Sequence, residues 1–560
     1  MPGDVEATDA AGRSRQGSQR AVGARKGPIL AALCLAALII NIDVTIVNVA
    51  LPSLVRELGA TTTSLQWVVD AYTLVFAALI LAAGSLSDRV GRKGMLLLGL
   101  GVFGAGSLAG SLATSSEQLI AARVVMGVGA AAIFPSTLSL ISNVFTERKE
   151  RAKAIGLWGA TTGVGVATGP IVGGWLLEEF WWGSVFLFMV PIAGIVAVLV
   201  ALTVPTSRDP AAPPLDWRGL VLSSLGMGTL ILSIIQAPDW GWGSPRTLAA
   251  IALGLGILAV FIDVERRMAC PMLDVRLFQN PRFTAASGSI AIAFFTLAGF
   301  TFLITQYFQF IQGYTPLGTG VRLLPVAIAM VIAALIGTRV AVRIGNKAVV
   351  AAGLALWGAT LLWIAANDAN TSYVTIAGQM ILGGGGLGLI TAPATEAIMG
   401  AVPTAKAGVG SAVNDATRLF GAALGVAVTG SVAASLYSSR LDQTIPHHLP
   451  ARAVNAADGS VGGALVAAHN LQHAGFGGLA HQLNAAATDA FVHSLHGTFP
   501  ILGAAALGGA LMAAALLPSR PAAPAVTQAP TATPLGPCIE VPLVGGAPVA
   551  TAHRPTVAAK

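Results

Sequence analysis

Apolar residues run in long blocks along this chain, and polar residues are confined to the shorter stretches between them. The first block extends from about Ile29 to Leu54. At 1.5 Å of rise per residue it is long enough, as a helix, to cross a hydrocarbon layer about 30 Å thick. Further blocks follow at 66–87, 95–113, 117–145, 154–176, 184–204, 218–236, 247–264, 284–308, 320–342, 348–366, 373–397, 407–436 and 498–517. This pattern predicts about fourteen spanning helices. Because lipid offers no partner to a free backbone group, the fold class expected is an all-α membrane protein.

Composition supports the same solvent. The chain is 54% hydrophobic and only 10% charged, with a mean hydropathy of +0.75. A soluble protein carries about 25% charged residues. A net charge of +7 would suggest a nucleic-acid partner in a soluble protein. Here about 25 Lys and Arg fall on the N-terminal side of the membrane and about 4 on the other, which predicts that both termini are cytoplasmic. The basic excess is therefore topology, and no nucleic-acid surface is expected. The first block is too long for a signal peptide and lacks a small-x-small cleavage site, so it is read as a retained span. Cys34, Cys270 and Cys538 are too scattered to suggest a disulfide.

The polar stretches divide the chain. Residues 1–28 and the Pro/Ala/Thr-rich tail 518–560 are expected to be disordered and cytoplasmic. "DRVGRK" (88–93) after the second block has a weaker echo in "VRIGNK" (342–347) after the tenth. "RVVMGVG" (123–129) in the fourth is echoed by "QMILGGG" (379–385) in the twelfth, with Gln379 where Arg123 stands. Echoes eight blocks apart predict two six-helix halves, 29–204 and 265–517, with a linker and two inserted helices at 205–264. The second half includes a long outer segment, 437–497. Parallel halves about an axis along the membrane normal are one plan on which secondary transporters are built.

Three features carry candidate chemistry. In "NIDVTIVNVALP" (41–52), Asp43 lies roughly 20 Å along the first block, near mid-membrane. A charged carboxylate there costs roughly 2.5–3.5 kcal/mol. It is either a functional acid or a structural one bonded to backbone or to Thr45. "GSLSDRVGRK" (84–93) places Gly84 and Gly91 where a tight turn is needed, with Asp88 beside Arg89, Arg92 and Lys93. Such a cluster, pairing in one conformation and parting in another, is a conformational latch; the alternative is a plain basic loop. The echo has Val342 where Asp88 stands, so a weaker second latch is expected. "GVGVATGPIVGG" (163–174) sets Gly165, Gly169 and Gly173 at four-residue spacing, a smooth face for another helix, with Gly174 beside it and a bend at Pro170.

These segments resemble the major facilitator superfamily, and specifically its fourteen-helix drug:proton antiporter family of the EmrB/QacA type. "IDVTIVNVALP" (42–52) and "WVVDAYTL" (67–74) are similar to its first- and second-helix signatures. "GSLSDRVGRK" is similar to its loop motif, "RVVMGVGAA" (123–131) to its fourth-helix motif and "GVATGPIVGG" (165–174) to its antiporter motif. "GYTPLGTGVRLLP" (313–325) and "AGVGSAVNDATRLFGAALGVAV" (407–428) match in the second half, so the resemblance covers about 29–517. It departs at "WWGSVFLFMVP" (181–191), where the family usually has an Arg and an Asn.

The resemblance implies a major facilitator fold and export of small hydrophobic or cationic drugs in exchange for protons. A dedicated exporter of one self-made antibiotic, or a passive facilitator, is the alternative. Asp43 matches the proton-coupling acid and Arg123 the arginine that tunes it; a desolvated acid of this kind changes its proton occupancy as a cavity opens to either side. Asp70 belongs to the substrate-facing wall, or caps a helix end. Asp415 stands three residues from Arg418 as a substrate contact or as half of an ion pair. Glu396 is a substrate contact or a solvated helix end. The aromatic run 294–310, with Tyr307, either stacks on substrates or packs against helices and lipid.

The outer segment holds His447, His448, His469, His473, His481, His493 and His496, read as amphipathic surface helices rather than a metal site. No G-x4-G-K-[ST] sequence is present, so the proton gradient is expected to drive transport without ATP or a cofactor. No catalytic motif suggests an enzyme. A monomer in the plasma membrane, bathed in lipid and handling drugs and protons, is the expectation.

Overall fold

A computed structural model of the protein describes residues 3–208, 216–268, 271, 273, 275–401, 407–445 and 448–517. The tail 518–560, Cys270, Cys538 and His447 lie outside these residues. Among the described residues fourteen helical segments are long and apolar enough to cross a membrane, each overlapping one sequence block.

The first half comprises α1 (Gly3–Leu58), α2 (Thr62–Val90), α3 (Arg92–Ser111), α4 (Ser116–Val144), α5 (Arg148–Glu179), and the last span in two pieces, α6 (Ser184–Leu187) and α7 (Met189–Thr203). The inserted pair is α8 (Trp217–Trp240) and α9 (Pro245–Arg267). The second half comprises α10 (Pro281–Gln306), α11 (Pro316–Arg322), α12 (Leu324–Ile344), α13 (Asn346–Ile364), α14 (Tyr373–Ala401), α15 (Ala407–Thr444), α16 (Ala451–Gly459), α17 (Val461–His473) and α18 (Gly477–Leu516).

The repeat read from two short echoes is present in the packing. In the first half α1 packs on α5, α4 on α2 and α3, and α7 on α3. In the second half α10 packs on α15, α14 on α12 and α13, and α18 on α13. The two echoed loops share a backbone conformation as well. Gly91 and Gly345 have φ of +133° and +91°, and each N–H returns to the carbonyl four residues back, Ser87 and Ala341. A side chain is strained in this region of φ, which accounts for glycine at both corners.

Two expectations are corrected. The polar N-terminal stretch, expected to be disordered, continues α1 as helix from Gly3; alanines are frequent in it and favour that state. The outer segment 437–497 does not lie wholly on the surface. Residues up to Thr444 extend α15, and from Gly477 the chain is already in the forty-residue α18. Only α16 and α17 lie across the face opposite the termini, here called the far face.

Candidate functional site

An acid in mid-membrane needs a charge partner, and α4 supplies it. Arg123 Nη1 donates to Asp43 Oδ2 at 2.7 Å, with the two side chains 1% and 0% exposed. Arg123 Nε donates to the Val68 carbonyl at 3.0 Å, and the guanidinium lies 4.1 Å from the centroid of the Tyr72 ring. The arginine is thus held by α1 and α2 at once. Asp43 Oδ1 accepts no geometrically well-formed hydrogen bond among the described residues, with the Tyr72 hydroxyl standing near the carboxylate. Breaking such a pair from one side leaves an uncompensated buried charge, whereas adding a proton to the acid leaves none on it. The geometry couples the charge of Asp43 to the placement of Arg123.

The glycine face of α5 lies against the helix that carries this acid. A side chain at Gly165 would meet Asn41, one at Gly169 would meet Thr45, and one at Gly173 would meet Ile46. The next position points the other way. Gly174 faces the backbone of Leu317 and Gly320 of α11 faces the Pro170 carbonyl, with the Leu317 N–H donating to Glu178 Oε1 at 3.2 Å. One side of α5 therefore touches the Asp43 helix and the other touches the second half.

The remaining cross-half hydrogen bonds share this level. Gln66 Nε2 donates to the Ala427 carbonyl at 2.9 Å and to the Ser431 hydroxyl at 3.1 Å, with Gly430 leaving room for it. Gln309 Nε2 donates to the Val49 carbonyl at 3.0 Å. Over them lies α17, whose Gly462 sits between Val55 of the first half and Phe310 of the second. Thr62 donates to the Gly459 carbonyl and Tyr437 to that of Ala457, so the α16–α17 pair straps both halves. Among the described residues every hydrogen bond joining the halves lies toward the far face. Toward the termini α5 keeps to its own half, Trp158 Nε1 donating to the Thr137 hydroxyl at 3.0 Å, and no described hydrogen bond takes this end to the second half. Residues 155–160 are exposed or partly exposed around the helix, and Gly156 and Gly159 have open space where a side chain would go. Among the described residues the halves are joined at the far face and parted at the terminal face.

The other expected residues fall in different places. Asp70 is fully buried, and among the described residues neither carboxylate oxygen accepts a hydrogen bond. One helical turn from Gln66, it lies on the stripe of α2 that meets α15. Asp415 and Arg418 do not form the ion pair expected of their spacing. Arg418 Nη2 instead donates to Thr395 at 3.0 Å, and its guanidinium lies over the Phe294 ring. Glu396 is exposed near the terminal-face end of α14. Tyr307, for which stacking on a substrate and packing were both open, is 1% exposed at the far-face end of its span, and its hydroxyl donates to the Asp368 carbonyl at 2.6 Å.

In the loop motif, Asp88 Oδ1 accepts from Arg92 Nε at 2.6 Å and from the Ser139 hydroxyl at 2.8 Å. Lys93 donates to the Ala201 carbonyl and Arg89 is exposed. All these bonds stay within the first half. Tyr72, Gln66 and Gln309 were not singled out from sequence, although a polar side chain within an apolar block was a usable signal for each.

The arrangement of two six-helix repeats, closed on one face and parted on the other around a buried ion pair, is that of an alternating-access transporter. The chain belongs to the major facilitator superfamily, whose family description matches residues 33–426. It is 37% identical over 442 residues to the multidrug efflux pump LfrA of Mycolicibacterium smegmatis, covering 79% of this chain and 87% of the relative. It is 35% identical to the methyl viologen resistance protein SmvA of Salmonella typhimurium, covering 77% and 87%. It is 31% identical to the tetracenomycin C resistance and export protein of Streptomyces glaucescens, covering 87% and 91%. Among solved structures, a bacterial homologue of the human lysosomal transporter Spinster, inward-facing and occupied, superposes with a TM-score of 0.64 at 15% identity, covering 88% and 97%. That likeness concerns the fold. The protein is a multi-pass membrane transporter of this superfamily.

Proposed function

We propose that the protein exports small hydrophobic or cationic drugs and antibiotics across the plasma membrane in exchange for protons, as a monomer with both termini in the cytoplasm. The observation that carries the reading is the buried Asp43–Arg123 pair, set on a helix whose neighbour α5 also touches the second half. The parted terminal face is then the cytoplasmic entrance, and drug is taken up with the far face shut. A proton arriving from outside neutralises Asp43 and releases Arg123. The α1–α5 contact loosens from α11, and the far face opens. Proton and drug drive the cycle to the extent that they favour different states. Each elementary charge moved through 100 mV supplies about 2.3 kcal/mol. Chemistry on the substrate plays no part, and the proton gradient takes the place of a cofactor.

Asp70, unpartnered at the α2–α15 seam, is the acid best placed to meet a cationic drug, with Asp415 opposite in the second half and Glu396 nearer the entrance. Asp88, with Gly84, Gly91, Arg92 and Lys93, is the latch, held here within its own half. The names of the relatives, a multidrug efflux pump and a methyl viologen resistance protein among them, support drugs as cargo. The tetracenomycin relative supports a second reading, a dedicated exporter of one antibiotic. Cells expressing the protein and loaded with ethidium test the first. Efflux that a protonophore stops supports it, and resistance to a single antibiotic without ethidium efflux selects the second.

A further inference from the structure

The inserted pair α8–α9 has no counterpart in either six-helix half, and its placement is specific. Gly226 of α8 meets Leu258 of α9, and Gly254 of α9 meets the backbone of Leu230, so the two helices cross closely as one unit. Toward the far face this unit seals the seam between the halves. Ile231 and Ile235 of α8 are fully buried against Ala423 and Ala427 of α15, with Trp67 and Leu74 of α2 beside them.

Toward the terminal face the seal ends, and a cavity of about 170 Å³ lies beneath the pair. Leu81 of α2, Ala416 and Phe420 of α15, Met227 of α8, Phe261 of α9 and Phe278 of the following linker line it. Among the described residues no charged side chain is in its wall. Its two hydroxyls are already used, Ser223 donating to the Leu220 carbonyl and Thr417 to that of Val413. The space is close to the ~150 Å³ of an apolar cavity that takes up benzene, so it suits a single aromatic ring, and the described wall has three phenyl rings and a thioether. Asp415 and Arg418 lie on the opposite side of α15, so this pocket is separate from the charged groups of the second half.

We propose that the inserted pair roofs a second binding site, which takes an uncharged aromatic molecule or the uncharged aromatic portion of an exported compound. A cation would lose its hydration there and find no compensating group. Because α2 belongs to one half and α15 to the other, the site exists in this form only while the halves are parted at the terminal face. An occupant therefore favours that arrangement. What the occupant contributes to transport rests on the export reading; whether the site binds does not.

The test is photolabelling of the purified full-length protein with trifluoromethyl(iodophenyl)diazirine, a small uncharged arene, in detergent and again in phospholipid nanodiscs, with labelled residues mapped by mass spectrometry. The expected result is label on α15 around 413–420 in both settings and its loss in Ala416→Trp, which fills the cavity. Label on the exposed Leu253 and Leu255 of α9 stays unchanged. If Ala416→Trp does not reach the membrane, Met227→Trp fills the same space from α8. Label at 413–420 that survives filling overturns the proposal, as does an unlabelled pocket in both settings. Label present in detergent but absent in nanodiscs also overturns it, because a lipid chain is then the occupant. None of these outcomes depends on efflux, so the export reading fails or stands separately.

Discussion

Gly169 of α5 lies so close to Thr45 of α1 that a single methyl group between them would displace the Thr45 hydroxyl. Thr45 is two residues from Asp43, and Thr45 Oγ1 already donates to the Gly165 carbonyl at 3.2 Å. The contact fixes the distance between the acid-bearing helix and the helix that reaches the second half.

Gly169→Ala is therefore expected to lower stability by ~1–3 kcal/mol, the usual range for overpacking a tight contact. Thr45→Ala in the same chain should recover most of it. Gly156→Ala and Gly159→Ala, which face open space, should change little. Melting of the purified variants in detergent checks all four.

The Asp43–Arg123 pair makes an asymmetric prediction. Asp43→Leu leaves a guanidinium that keeps its charge, and the expected loss is ~3–5 kcal/mol. Arg123→Met leaves a carboxylate that can take up a proton, so the loss should be smaller. The double variant Asp43→Leu/Arg123→Met buries no charge and should melt above Asp43→Leu. A double variant less stable than both single ones would remove the pair as the reason for the burial.

Closure of the far face is accessible to cross-linking. Leu317 and Glu178 touch across the halves. With native cysteines replaced, Glu178→Cys/Leu317→Cys joined by a short bis-methanethiosulfonate is expected to abolish efflux, and reductant is expected to restore it. Unchanged efflux by the cross-linked protein would mean that this contact persists through the cycle.

The loop acid makes a prediction in which stability and activity part company. Asp88 is partly exposed and bonded only within its own half. Asp88→Asn should cost ~0–1 kcal/mol, as exposed pairs do. Efflux should nevertheless fall markedly if Asp88 changes partner in the outward-opening step. A melting temperature that falls in proportion to efflux would identify a structural role alone.

Much of this fold was legible in the sequence. Spanning blocks follow from hydrophobic length, and the repeat from two glycine corners that physics restricts to that residue. The smooth face of α5 was visible as four-residue spacing, since helix geometry turns spacing directly into a face. The partner of Asp43 was open to inference only by resemblance, because eighty residues separate it from Arg123 and no local rule spans them. The partners of Tyr307 and Arg418 were equally out of reach, since the Asp368 carbonyl and the Thr395 hydroxyl lie 61 and 23 residues away along the chain. The outer segment was misread because a spanning helix that continues past the membrane has no compositional stop signal.

The central claim is that Asp43 carries the coupling proton. The direct measurement is ethidium transport in proteoliposomes under an imposed pH gradient, comparing wild type with Asp43→Asn at matched protein content. The account predicts gradient-driven transport by wild type and none by Asp43→Asn, with substrate exchange in the absence of a gradient retained. Equal gradient-driven transport by the two proteins would contradict it.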